Sequence, residues 1–109
     1  MAIATGDSSD TDSETLLAPA RLTADNRLEF RRIVLEALEV SSRNGERLVR
    51  VDLSLTVQID AGGLGVLVLL QKRARERGIG TQLVHAPPAI REMLHLTRLD
   101  GLFTFADAV

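Results

Sequence analysis

Residues 51–65 read VDLSLTVQIDAGGLG, and this stretch predicts a strand that leads into a helix through a very short connection. The apolar residues at its start are typical of a strand buried within a sheet, while the apolar residues that follow Gly65 are typical of a buried helix. Tight, glycine-bearing junctions of this kind are common functional positions in α/β proteins. The residue between Asp60 and the glycines is Ala61, whose methyl group supplies no nucleophile, no proton and no phosphate acceptor.

Upstream of this junction, the pattern predicts one extended segment, one helix and the central strand. Residues 14–22 are expected to be extended, and Thr23 is expected to cap a helix that runs from Ala24 to about Val40. The apolar positions of that helix recur at helical spacing and describe one buried face: Phe30, Ile33, Val34, Ala37 and Leu38. The central strand is predicted over residues 47–55.

Downstream, a helix is expected from Ala61 or Gly62 to about Arg77, followed by a strand over residues 81–85 and a helix over residues 89–96. The last apolar residues are interpreted as a short helical turn that covers the core: Leu99, Leu102, Phe103 and Phe105. Alternating strands and helices predict an α/β fold with a small, mostly parallel sheet of about four strands.

Length and charge predict one domain over residues 14–109 behind a flexible acidic tail over residues 1–13. Four of the 15 acidic residues and none of the 13 basic residues lie in residues 1–14. The rest of the chain is therefore only weakly positive, and the protein has three phenylalanines but no tryptophan or tyrosine. This composition argues against nucleic-acid binding, which needs a basic surface or bases stacked on aromatic rings.

The chain has no cysteine, which excludes disulfides and thiolate chemistry and suits the cytoplasm. The longest apolar run covers only residues 66–70, so no membrane insertion is expected, and no signal peptide is evident. His85 and His95 lack partners at metal-ligand spacing, and no serine pairs recognisably with a histidine and an acid. We therefore expect no metal, no cofactor and no catalytic residue.

Two interpretations of the glycine junction are possible. Backbone N–H groups at a helix start can hold a phosphate, but the sequence matches no familiar nucleotide-binding pattern and Asp60 would repel the anion. The favoured interpretation is that Asp60 caps the helix while the glycines permit close helix–sheet packing. Asp52, the other acid near the end of the central strand, has no predictable geometry relative to Asp60.

Three segments around the junction match the core pattern of a known family, V-D-L-S-G-V-x-x-I-D-S-S-G-L-G-V-L: Val51–Ser54, Ile59–Asp60 and Gly63–Leu67. A later family pattern falls on Lys72–Arg75, Gly78, Leu83–Val84, Pro87 or Pro88, Leu94, Leu96–Thr97, Leu99 and Leu102–Phe103. The stretch from Val51 to Phe103 thus resembles the STAS family, named for sulphate transporters and anti-sigma factor antagonists.

The resemblance implies a small mixed sheet with helices on one face and no catalytic activity. In the antagonist branch, the domain binds an anti-sigma factor that is also a serine kinase, and phosphorylation of the serine after the aspartate ends the interaction. Here that position is Ala61, which cannot be phosphorylated. The frequent Leu-Asp before the first helix is Leu22-Thr23, so a common partner-contact carboxylate is absent.

The resemblance favours a non-enzymatic, cytoplasmic antagonist or signalling scaffold that binds an anti-sigma factor or serine kinase through the Asp60–Gly65 junction. The residues expected to contact this partner are Asp60, Ala61, Gly62, Gly63, Leu64 and Thr23. An alternative is an accessory subunit of a bacterial ABC lipid transporter that binds the ATPase, because Asp60–Gly63 resembles the D-T-G-G junction of such subunits. Nucleotide binding at the junction is a third and weaker hypothesis. The apolar residues 66–70 are compatible with a core position or with a homodimer face.

Overall fold

The structure is a computed structural model that describes residues 13–106. Its strands are β1 (Ser13–Leu17), β2 (Arg21–Leu22), β3 (Leu48–Asp52), β4 (Gln58–Ile59), β5 (Gly80–Val84) and β6 (Thr104–Ala106). Its helices are α1 (Arg27–Arg43), α2 (Ala61–Glu76) and α3 (Pro88–Leu96), with a 3-10 turn over Asp100–Leu102. The acidic tail predicted for residues 1–13 lies outside the described residues, except that Ser13 begins β1.

The main sheet has four parallel strands in the order β1-β3-β5-β6. Its three crossovers run through α1, α2 and α3 and all step in the same direction across the sheet. Because parallel crossovers are right-handed, the three helices lie on one face. A second, two-stranded parallel sheet pairs β2 with β4, with Leu22 opposite Ile59. The prediction of an α/β fold with a mostly parallel sheet of about four strands is confirmed.

The core between the sheet and the helices is aliphatic, with Phe30 and Phe103 as its only buried aromatic residues in the described part of the chain. Both strands and helices contribute side chains to it at the spacing expected of each element. On β3, Val49 and Val51 are fully buried, whereas the residues between them face the other side of the sheet. On the helices, the fully or nearly fully buried residues include Phe30, Val34, Leu38, Leu67, Leu70, Ala74, Ile90 and Leu94.

The structure differs from the sequence prediction at the end of the chain. The 3-10 turn is followed by a short strand, β6, which pairs with β5 through residues 104–106. Three residues are too few to show a period-two pattern, and their strand conformation depends on backbone pairing with residues more than 20 positions away. The predicted helical turn therefore accounts for residues 100–102 but not for the strand that follows.

The start of the first helix was also predicted wrongly. Thr23 is not its N-cap, because α1 begins at Arg27 and Asn26 occupies the capping position. The Asn26 side chain instead closes the preceding turn: its oxygen accepts a hydrogen bond from the Thr23 backbone N–H at 3.0 Å, and its amide donates to the Arg21 carbonyl at 2.6 Å. Asparagine and threonine both favour such turns, and neither side chain makes a capping hydrogen bond to α1.

Candidate functional site

The junction between β4 and α2 lies at the edge of the molecule where α1 also begins. We call residues Asp60–Gly65 the corner. Ala61, the first residue of α2, is exposed, and so is Gly65, one turn further along the same helix face. Gly62 is half-buried between them. The corner therefore presents a methyl group and bare backbone to the surroundings.

The Asp60 carboxylate holds this region together from both sides. One of its oxygens accepts a hydrogen bond from the Gly63 N–H at 3.1 Å, which caps α2. The other accepts from the Ala24 N–H at 3.0 Å, in the turn before α1. The N–H groups of Ala24 and Gly63 lower the pKa of Asp60, because they stabilise its ionised form. The predicted capping role of Asp60 is confirmed, and the carboxylate additionally links the starts of two helices.

Gly63 is required by the close approach of α2 to β2. A Cβ atom built at Gly63 would lie 2.7 Å from the Cβ of Leu22 and closer still to the Leu22 carbonyl oxygen, which accepts a hydrogen bond from the Asp60 N–H. At Gly62 the space is also tight, with the Ala24 Cα 3.0 Å away from such an atom. The expected close helix–sheet packing is confirmed at Gly63, whereas Gly62 packs against the turn before α1.

We expect Asp60→Asn to lower stability at neutral pH and to reduce the loss of stability in acid. The two backbone N–H groups bind different oxygens, and in the amide one of these oxygens is replaced by an NH2 donor, so one N–H group loses its acceptor. Because the folded-state pKa of Asp60 is depressed below its ordinary value of 3.8, its contribution is present above that pH and is lost as the pH falls through the folded pKa. Urea unfolding at pH 6 and pH 3 tests this: the difference in unfolding free energy between wild type and variant should shrink in acid.

Asp25→Asn is the matched control, since it removes an exposed carboxylate from the neighbouring turn without touching α2. A difference between wild type and Asp60→Asn that stays constant from pH 6 to pH 3 would contradict the proposed capping by an ionised Asp60.

A shallow groove of about 360 Å³ opens between α1 and α2 at the corner. Its floor includes Gly62 and Gly65, and its apolar wall is formed by α2 side chains. Two arginines of α1 form the opposite wall. The lining residues are Arg27, Arg31, Ala61, Gly62, Gly65, Val66 and Leu69.

The predicted contact residues divide into an accessible group and a supporting group. Ala61 is exposed, and Asp60 and Gly62 are half-buried. Gly63, Leu64 and Thr23 are buried, with Leu64 and Thr23 only 8% and 5% exposed. In this structure the second group positions the corner from inside and offers little surface to another molecule.

The arginine wall of the groove, Arg27 and Arg31, was not predicted, whereas the apolar wall lies within residues 66–70, for which a core position or a homodimer face was predicted. Neither arginine was assigned a role from the sequence. Their spacing of four residues, without an acid at either neighbouring turn, was a usable signal, because like charges at this spacing disfavour a helix.

The remaining polar residues do not converge on the corner. The Asp52 carboxylate accepts a hydrogen bond from the Ser54 N–H at 2.9 Å and lies 3.3 Å from the His85 Nδ1. His95 Nδ1 lies 2.9 Å from Asp100. Within residues 13–106, no group of three histidine, cysteine or acidic side chains could hold a metal ion. None of the described helices combines the length and the apolar character that crossing a bilayer requires.

A small parallel sheet with helices on one face and an exposed, acid-capped strand-to-helix corner is the architecture of a STAS domain. The chain belongs to this family: the family model described as "Mlab, STAS domain" matches residues 7–104. The resemblance first seen between Val51 and Phe103 is therefore confirmed and extends over most of the chain.

Solved structures agree with this assignment. A Thermotoga maritima protein assigned as an anti-sigma factor antagonist is 26% identical, with a TM-score of 0.76 over 90% of this chain and 81% of that protein. The Bacillus cell-fate determinant SpoIIAA in its phosphorylated form is 13% identical, with a TM-score of 0.68 over 94% of this chain and 88% of its own. A sulfate transporter family protein of Wolinella succinogenes is 15% identical, with a TM-score of 0.68 over 86% of this chain and 76% of its own. The last two similarities establish the shared fold.

Proposed function

We propose that this protein is a non-enzymatic, cytoplasmic interaction module that binds a signalling partner of the anti-sigma factor or serine-kinase type through the corner. The observation that carries the proposal is the exposed methyl group of Ala61 at the first position of α2. Where the antagonist branch of the family has a serine, this chain presents a side chain that cannot accept a phosphate. Binding would therefore be independent of phosphorylation at this position.

The rigidity of the corner supports a docking role. Asp60 ties the start of α2 to the turn before α1, and Gly63 lies directly against Leu22, which is fully buried. A surface that is already ordered before binding loses little conformational entropy when a partner contacts it. The groups exposed here are a methyl group, glycine backbone and two guanidinium groups, which suit recognition and provide no acid–base or nucleophilic pair.

A second candidate is an accessory subunit of a bacterial ABC lipid transporter that binds the ATPase. Two observations favour it. The junction Asp60–Gly63 resembles the D-T-G-G junction of such subunits, and the matching family model carries the description Mlab. Both candidates use the same corner and differ in the class of partner.

Site-directed photo-crosslinking at position 65 tests the proposal and separates the candidates. Nothing lies within 4 Å of a Cβ atom built at Gly65, so the side chain of a benzophenone amino acid can leave the helix here without an immediate clash. We expect one dominant adduct in cells of the source organism, whose mass-spectrometric peptides identify an anti-sigma factor or kinase, or alternatively an ABC ATPase. Adducts with a second copy of the chain would instead indicate a homodimer face.

The matched control carries the same crosslinker at Arg75, an exposed position near the other end of α2. The proposal fails if position 65 gives no adduct, or if positions 65 and 75 give the same set of adducts.

A further inference from the structure

Among residues 13–106, no acidic side chain pairs with the two arginines beside the corner. Arg27 and Arg31 line the groove opposite Ala61 and Gly65, and within the described part of the chain neither makes an ion pair or a side-chain hydrogen bond. By contrast, the adjacent Arg32 contacts Glu29 at 2.8 Å and Glu36 at 3.1 Å. Among the arginines of α1, Arg32 and Arg43 have acidic partners within residues 13–106, whereas the two on the groove side do not.

The placement of these charges is unfavourable for the isolated fold. Arg27 and Arg31 are four residues apart on one helix, where like charges repel. Both lie in the first two turns of α1, close to the positive end of the helix dipole, where acidic residues are preferred. The start of α2 adds a second positive helix end beside them. Both carboxylate oxygens of Asp60, the acid of the corner, already accept hydrogen bonds from backbone N–H groups.

The groove has a shape that would expose these guanidinium groups to a partner. A Cβ atom at Gly62 would approach the Arg27 Cδ to 3.2 Å, so the Arg27 stem lies close over the glycine backbone. Gly65 leaves the floor of the groove open, and Leu69, half-buried on α2, supplies an apolar wall. A guanidinium group held beside an apolar surface is suited to bidentate hydrogen bonds with a carboxylate.

We propose that the groove binds an acidic segment of the partner protein, whose carboxylates pair with Arg27 and Arg31 while an apolar side chain contacts Leu69. This inference rests on the proposed function and specifies the chemistry of the partner. Charge complementarity selects an acidic occupant, because such an occupant removes the repulsion between the two arginines. The apolar wall and the small number of cations favour a protein segment over a nucleic acid, which needs an extended basic surface.

The test is charge reversal on the purified complex. The partner is the protein identified by crosslinking at position 65, and the variant is Arg27→Glu/Arg31→Glu. We expect its affinity, measured by calorimetry, to fall by about 30-fold or more. The association rate should also fall and lose most of its dependence on salt concentration. Arg27→Lys/Arg31→Lys, which keeps the charge without the bidentate geometry, should retain most of the association rate and lose part of the affinity.

Two controls separate this effect from misfolding and from general charge. Arg73→Glu/Arg75→Glu makes the same change in net charge on an exposed part of α2 and should leave the affinity within about 3-fold of wild type. The Arg27→Glu/Arg31→Glu variant itself should be at least as heat-stable as wild type, with Tm unchanged or raised by a few degrees, because it places acids at a helix N-terminus. If these arginines had a purely structural role, the variant would bind more weakly only because it was less stable. Weaker binding with undiminished stability therefore supports a direct role in binding.

Several results would overturn the inference. Equal affinities for the groove variant and the Arg73/Arg75 control would do so while leaving docking at the corner intact. A crosslinked partner segment without acidic residues would do the same. So would binding of the wild-type protein to phosphatidylglycerol vesicles, if the Arg27→Glu/Arg31→Glu variant no longer bound them. Failure to crosslink any protein at position 65 would overturn the proposed function itself, together with this inference.

Discussion

Gly63→Ala is expected to cost at least about 3 kcal/mol of unfolding free energy, because the added methyl group has no space. It would lie 2.7 Å from the Leu22 Cβ and closer to the Leu22 carbonyl oxygen, and backbone atoms cannot rotate away as a side chain can. Leu22 is fully buried and its carbonyl accepts the Asp60 N–H, so retreat of α2 would also stretch that hydrogen bond. A loss of this size is a large fraction of the stability of a small domain.

Urea unfolding and thermal melting measure the effect, and a fall in Tm of roughly 12 °C or more corresponds to the expected loss. The control is Gly65→Ala, two residues along the same helix, where nothing lies within 4 Å of the new Cβ atom. That substitution should stabilise the protein by about 0.5–1 kcal/mol, since alanine favours a helix interior over glycine. Equal and small effects of the two substitutions would show that α2 does not depend on its contact with β2.

The elements that were predicted correctly are those whose defining residues lie close together in the sequence. The strand at β3, the helix from Ala61 and the capping by Asp60 all follow from residues close together in sequence, and the structure has each of them. The glycine packing could be predicted because glycine is costly inside a helix, so its presence in the first turn indicates that another backbone approaches closely there. The alternating order of strands and helices then fixed the parallel sheet and the side on which the helices lie.

Other features depend on contacts that a local pattern does not contain. β2 and β4 have two residues each, and Leu22 and Ile59 become strand residues only because they pair with each other. The central strand ends at Asp52 because residues 53–56 form a turn, with the Thr56 N–H donating to the Leu53 carbonyl at 3.0 Å. Leu53 and Leu55, which lie in that turn, continue the alternating apolar pattern of the strand. The strand was therefore predicted to end three residues too late.

The candidate site was predicted only in part, again because some of its residues come together only in the folded chain. Asp60 and Ala61 were found because they lie at the junction, which is a local feature. Arg27 and Arg31 were not, because their position beside the corner arises from the packing of α1 against α2. Thr23 lies near the corner in space, as expected, but it is buried and the adjacent Ala24 N–H makes the contact with Asp60.

Ala61→Asp is expected to weaken partner binding by about 2–5 kcal/mol, because it places a charge at the centre of the proposed docking surface. The carboxylate would have to be desolvated, and it would lie in the groove with Arg27 and Arg31, where it competes with acidic groups of the partner. The fold itself should tolerate the change, because Ala61 is exposed and an acid is favourable at the first position of a helix.

Ala61→Ser is the matched control, since it adds a hydroxyl group without a charge at the same position. We expect its affinity for the partner to stay within about 1 kcal/mol of wild type, and its Tm and that of Ala61→Asp to remain close to the wild-type value. If the partner is a serine kinase, Ala61→Ser should in addition become a substrate, and phosphorylation should reproduce the loss caused by Ala61→Asp, because a phosphate carries about −1.5 to −2 charges.

Calorimetric titration of wild type and both variants measures the three affinities. Equal binding by wild type and Ala61→Asp would mean that the partner contacts another surface, since no interface that covers Ala61 could leave an added carboxylate without effect.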